Sequence, residues 1–121
     1  MVKPLFDTVI LIDYLNGIAQ ARAEMAHYDD RAISIVSWME VMAGAPADAE
    51  ASTRAFLDQF QIIPVDPLVA EHAVTIRKKK RLKLPDAIVW ASAQVHNRLF
   101  VTRDAKDFPA NDPGVRIPYQ I

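Results

Sequence analysis

The chain contains no cysteine among its 121 residues. That excludes a disulfide framework and any thiolate metal site, and it suits a reducing compartment. Only three glycines are present, too few and too scattered for a glycine-rich phosphate loop. No apolar run approaches the roughly 18 residues needed to span a bilayer. The opening Met1-Val2-Lys3-Pro4 meets Asp7 where a signal peptide would need its apolar stretch, so a cytoplasmic location is expected. Net charge is −1, so the whole-molecule field gives little steering toward a polyanion.

What is present is an ordinary globular balance, 51% hydrophobic and 24% charged. The length suits one domain spanning 1–121 that buries roughly two-thirds of its unfolded surface. Charge is unevenly placed. Six of the fourteen basic side chains fall between Arg77 and Lys83, a local patch of the kind that meets phosphates. A solvated helix end explains the same run equally well.

Apolar patterning predicts strands at 2–6, 32–36, 61–65, 99–102 and 115–117. Helices are expected at 9–15, closed by Asn16-Gly17, and at 19–27. A third opens at Ser37-Trp38-Met39-Glu40. The others are expected at 47–60, with Ala51, Ala55 and Phe60 near one face, at 67–80 after Pro67, and from Pro85 to about Asn97. Short strands that are apolar on both faces and alternate with helices predict a three-layer α/β/α domain around a mostly parallel sheet.

Ligands of such sheets bind beyond the carboxyl ends of the strands. Asp7 directly follows the first predicted strand, Glu40 lies about a turn after the second, and Asp104 closely follows the fourth. Asp86, after Pro85, joins them if its helix begins at that edge. Each also has a plainer reading. Ser37-x-x-Glu40 fits a capping box, Asp7 and Asp104 fit caps or turns, and Asp86 suits a helix N-terminus. Clustered carboxylates are costly, however: two about 5 Å apart repel by roughly 3 kcal/mol at an effective dielectric near 20. A cation among them removes that cost, and an all-oxygen set favours Mg²⁺ or Mn²⁺ over Zn²⁺. His27, His72 and His96 show no metal-ligand spacing.

Four segments resemble the motifs of the PIN-domain family: Leu5-Phe6-Asp7-Thr8 with Leu11-Ile12, Ser37-x-x-Glu40, Lys83 to Ile88 continuing to Ala93, and Phe100 to Asp104 with Asp107-Phe108. Trp90 is larger than the residue the family tends to carry there. The small size resembles the family's VapC-like toxin branch. The resemblance implies a PIN fold and a Mg²⁺- or Mn²⁺-dependent endoribonuclease, usually dimeric and held inactive by a small antitoxin. It gives the catalytic roles to Asp7, Glu40, Asp86 and Asp104, with Asp7, Asp86 and Asp104 on the metal. Asp107 is the alternative fourth acid, and Thr102 and Ser37 are supporting groups. Lys79, Lys80, Lys83 and Arg103 are expected to meet RNA. Trp38, Met39, Met42, Phe56 and Phe60 are expected to meet the antitoxin. A receiver-type phosphorylation module and an inactive PIN-fold binding module are the alternatives. The receiver needs an acidic pair after the first strand and an acceptor Asp after the third, where only Asp66 stands.

Overall fold

In the computed structural model, which describes residues 1–121, five short strands form one sheet. They are β1 (Pro4–Phe6), β2 (Ala32–Ser34), β3 (Gln61–Ile63), β4 (Leu99–Val101) and β5 (Val115–Arg116). Their order is β3-β2-β1-β4-β5, and every neighbouring pair is parallel. Alternate residues feed opposite faces, as the pleat requires. Phe6, Ile33 and Val101 pack with α1 (Thr8–Leu15), α2 (Ala19–Ala26), α3 (Ile35–Gly44) and α4 (Glu50–Leu57). Leu5, Ala32 and Phe100 pack with α5 (Pro67–Lys80) and α6 (Leu84–Val95). The result is the expected three-layer sandwich, with a wholly parallel sheet at its centre.

The strand order decides against a receiver, whose sheet runs 2-1-3-4-5. Here β1 and β4 are neighbours whose connections leave in opposite directions, and a crevice opens at the carboxyl ends of such a pair. Asp66, the nearest thing to an acceptor, serves instead as the N-cap of α5, its Oδ1 accepting the Val69 N–H at 2.9 Å.

Several boundaries differ from the sequence expectation. The second strand stops at Ser34, because the Ser34 hydroxyl accepts the Val36 N–H at 3.0 Å and starts α3 there. Ser37 therefore lies inside the helix, buried, and the capping box with Glu40 does not form. The predicted helix at 47–60 divides into a 3₁₀ turn, Ala47–Ala49, followed by α4. Its buried face carries Thr53 and Leu57, while Ala51 and Ala55 are exposed; the sheet takes the bulkier side chains because they exclude more water. Trp90 is accommodated by other aromatics, with ring centroids 6.4 Å from Phe100 and 5.5 Å from Phe108.

Candidate active site

Asp7 leaves β1 at its carboxyl end and caps α1. Its Oδ1 accepts the Thr8 N–H at 2.8 Å. Its Oδ2 accepts the hydroxyl of Thr102, just beyond β4, also at 2.8 Å. The carboxyl group is thus stretched across the β1–β4 crevice. Burial pushes it up to about 7; the hydrogen bonds from Thr102 and Thr8 oppose this, and the charges of Asp86 and Asp104 add to it. A simple cap explains one oxygen and leaves the other, with its two acidic neighbours, unexplained.

Asp86 stands in the first turn of α6, which leads into β4 and so begins at the carboxyl edge. Its carboxyl group is also raised, by burial first and then by Glu40, Asp107 and Asp104, with Lys83 opposing. Asp104 is half-buried, and its Oδ1 accepts the N–H groups of Lys106 and Asp107, each at 3.1 Å. Asp107 is exposed. Glu40 reaches in from α3, its Oε1 2.8 Å from Thr8 Oγ1, which lies 2.8 Å from Ser37 Oγ. A carboxylate only accepts. The Thr8 hydroxyl therefore donates to Glu40, and Ser37 donates to Thr8. Asp7, Thr8, Glu40, Asp86 and Asp104 all line one cleft of about 520 Å³.

The sequence did not single out Thr8, Asp13 or Gln120. Thr8 orients Glu40, Gln120 brings the C-terminal segment to the cleft wall, and Asp13 holds Arg103. Thr8 was open to notice through its place beside Asp7; the other two became visible only when distant segments met. Thr102 is fully buried and bonds in both directions, since its Oγ1 also accepts the Asp104 N–H at 3.1 Å. A Thr102→Val substitution should keep the shape and strand two polar groups. The expected cost is about 1–3 kcal/mol in urea unfolding, and an unchanged midpoint would mean that these bonds carry no weight.

The family model for the PIN domain matches residues 5–112, nearly the whole chain. The chain belongs to the PIN-domain family. A solved toxin–antitoxin complex from Klebsiella pneumoniae contains a chain 45% identical to this PIN domain. The match covers 98% of this chain and 99% of that one, with a TM-score of 0.92. A chain of the DNA-bound VapBC from Salmonella typhimurium is 22% identical, covers 96% of each chain and superposes with a TM-score of 0.79. FitAcB from Neisseria gonorrhoeae contains a chain 23% identical, covering 100% of each, with a TM-score of 0.81. The last two show the shared fold. No curated protein sequence matches the chain.

The donors of this PIN domain suit a hard cation. They are all oxygens, and one pair belongs to a carboxyl group that burial, with a smaller contribution from its acidic neighbours, pushes up to about 7. No three acidic side chains are arranged to ligate one ion together. That is compatible with Mg²⁺, which keeps several waters and needs only one or two carboxylates. The three histidines are exposed and none of them lines the acidic cleft.

The remaining expected residues take varied places. Lys79 and Lys80 end α5, Arg81 turns in the left-handed conformation at φ 56°, and Lys83 caps α6 near Asp86. Arg103 lines the acidic cleft with its guanidinium held by Asp13. Phe60 is buried against Phe6 and Phe56 and serves the core. Trp38, Met42 and Phe56 are half-buried, and Met39 is half-exposed. A second cleft of about 450 Å³, between α1, α3 and α4, shares Ile12 and Glu40 with the acidic one. No helix is long and apolar enough to cross a membrane.

Proposed function

We propose that this PIN domain is the toxin of a toxin–antitoxin pair and acts as a Mg²⁺- or Mn²⁺-dependent endoribonuclease. The observation that carries the reading is the buried Asp7 carboxyl group, which shares one cleft at the β1–β4 crevice with Asp86, Asp104 and Glu40. The 45% identity to a chain of a toxin–antitoxin complex supports the biological setting. Asp7, Asp86 and Asp104 would hold the ion between them, one or two by direct contact and the rest through the waters that Mg²⁺ retains, and when bound it supplies charge neutralisation and Lewis acidity toward a phosphodiester. Glu40 orients the attacking water and takes its proton, with Thr8 fixing one of its oxygens. Water adds to phosphorus as the bond to the 3′ oxygen breaks, leaving a 5′-phosphate and a 3′-hydroxyl.

The reading includes RNA as substrate, a cytoplasmic setting and a homodimer. The antitoxin would cover the apolar surface around Trp38, Met39, Met42 and Phe56, next to the cleft shared by α1, α3 and α4. The test is to incubate purified, partner-free protein with total RNA and Mn²⁺ and to sequence the cut ends. Discrete ends that vanish in Asp86→Asn protein are expected. Intact RNA under those conditions refutes the nuclease.

Lys79, Lys80 and Lys83 are exposed beside the start of α6 and are assigned here to the RNA backbone. Replacing all three with Ala in an Asp86→Asn background should reduce the salt slope of single-stranded RNA binding by about 2, at about 0.7 per lost phosphate contact. An unchanged slope in RNA titrations at several salt concentrations would return these lysines to solubility alone.

A further inference from the structure

Asp13 lies on α1 with only 4% of its surface exposed. Both of its oxygens are used: Oδ2 accepts from Arg103 Nε at 2.6 Å and Oδ1 from Arg103 Nη2 at 3.1 Å. Tyr119, in the C-terminal segment, donates its hydroxyl to the same Oδ2 at 2.9 Å. A fork-to-fork pair of this kind fixes orientation as well as distance. Arg103 sits between Thr102, which holds Asp7, and Asp104, whose own N–H rests on Thr102.

Asp7 and Asp13 are six residues apart on the start and body of one helix, about 9 Å along its axis at 1.5 Å per residue. The helix is therefore tied to the segment after β4 at two separate points. One tie, Asp7 to Thr102, lies inside the acidic cleft. The other, Asp13 to Arg103, lies beside it. Burial of Ile10 and Leu11 fixes α1 against the sheet, and the two ties together fix how the segment after β4 lies along it and so the direction from which Asp104 meets Asp7.

We propose that Asp13, Arg103 and Tyr119 form a positioning clamp that sets the geometry of Asp7 and Asp104. The clamp touches no reacting atom; it acts through Thr102 and the 102–104 backbone. Its consequence for metal binding rests on the nuclease reading above, and its mechanical part does not. Phe108, fully buried at the far end of the same loop, anchors the other side. The clamp therefore governs residues 103 to 107, where Asp104 organises the turn by accepting the Lys106 and Asp107 N–H groups.

The test uses the full chain and two variants. Tyr119→Phe removes one hydroxyl and keeps the ring; Arg103→Lys keeps the charge and loses the fork. In metal-free protein, amide hydrogen exchange at Asp104 should accelerate by about tenfold or more in each variant, as expected when a segment loses a bond to a charged acceptor. Exchange at Asp7, whose N–H donates to Val101 in the core, should not change. Mn²⁺ affinity measured by calorimetry should fall by about tenfold. If the variants melt earlier but keep wild-type exchange at Asp104 and wild-type Mn²⁺ affinity, the trio only stabilises the fold and the clamp is overturned. An Asp104 amide unprotected in the wild type overturns it too. Should Arg103→Lys fail to fold, Tyr119→Phe decides alone. Should the wild type bind no Mn²⁺, the exchange arm still decides the clamp, and only the nuclease reading falls.

Discussion

Asp86→Asn is expected to lower RNA cleavage by about a thousandfold or more, which corresponds to losing roughly 4 kcal/mol of transition-state stabilisation. Asp7→Asn should do the same while leaving a folded chain, because Asn caps a helix about as well as Asp. The two substitutions remove charge from a cluster in which neighbouring carboxylates add to burial in raising Asp7 and Asp86. Each metal-free variant should therefore unfold at the same urea concentration as the wild type at neutral pH, or a higher one. Lost cleavage combined with retained or increased stability separates a reactive group from a structural one. Asp104→Asn should also inactivate, whereas Asp107→Asn, at an exposed position, should leave most of the activity. Full activity in Asp86→Asn would remove the site assignment, and the reverse ranking of the last two would transfer the fourth role to Asp107.

The second large effect is on pH dependence. The carboxyl group of Asp7 has an ordinary value of 3.8 and is pushed up to about 7 in the folded, metal-free chain. Between those values the folded state holds a proton that the unfolded state has lost. The resulting stabilisation is fully present below about pH 3.8 and disappears as pH rises through about 7. At 1.36 kcal/mol per unit its size is at most roughly 4 kcal/mol. Glu24, lowered by its hydrogen bonds from Arg116 and Tyr28 against the opposing effect of burial, acts in the opposite sense and only below its ordinary 4.5. In chelator-treated protein, urea unfolding at about pH 5 and about pH 8 should thus show a loss with rising pH in the wild type that is much reduced in Asp7→Asn. Excess Mn²⁺ at the higher pH should restore stability, by about 2.7 kcal/mol at a hundred times its dissociation constant. Its affinity should weaken below about pH 7, where the proton competes for Asp7. Equal pH slopes in the two proteins would show that Asp7 is not the group that titrates.

The four acidic positions were legible in the sequence because each follows a short apolar run or opens a helix, and the carboxyl edge of a parallel sheet collects such positions. Asp7 beside Leu5-Phe6 and Asp104 beside Phe100-Val101 are the clearest cases. Boundaries were less legible where side chains compete with the backbone pattern. Ile35 and Val36 read as strand, yet the Ser34 hydroxyl caps a helix there. Ser37 read as a cap and is instead a buried donor within the Glu40–Thr8–Ser37 relay.

The sequence by itself determined the layered α/β class, the alternation of strands and helices, and the acidic character of one edge. Those properties depend on local periodicity and on which residue follows which strand. Only the tertiary structure decided the strand order, which brings β4 beside β1 and lets Thr102 hold Asp7 across 95 residues of chain. It alone paired Arg103 with Asp13, 90 residues away. It also buried Phe60 in the core and left Trp38 and Met39 nearer the surface. The reason is that charge pairing and burial depend on separation in space, and no periodicity within one segment encodes which distant segment will lie against it.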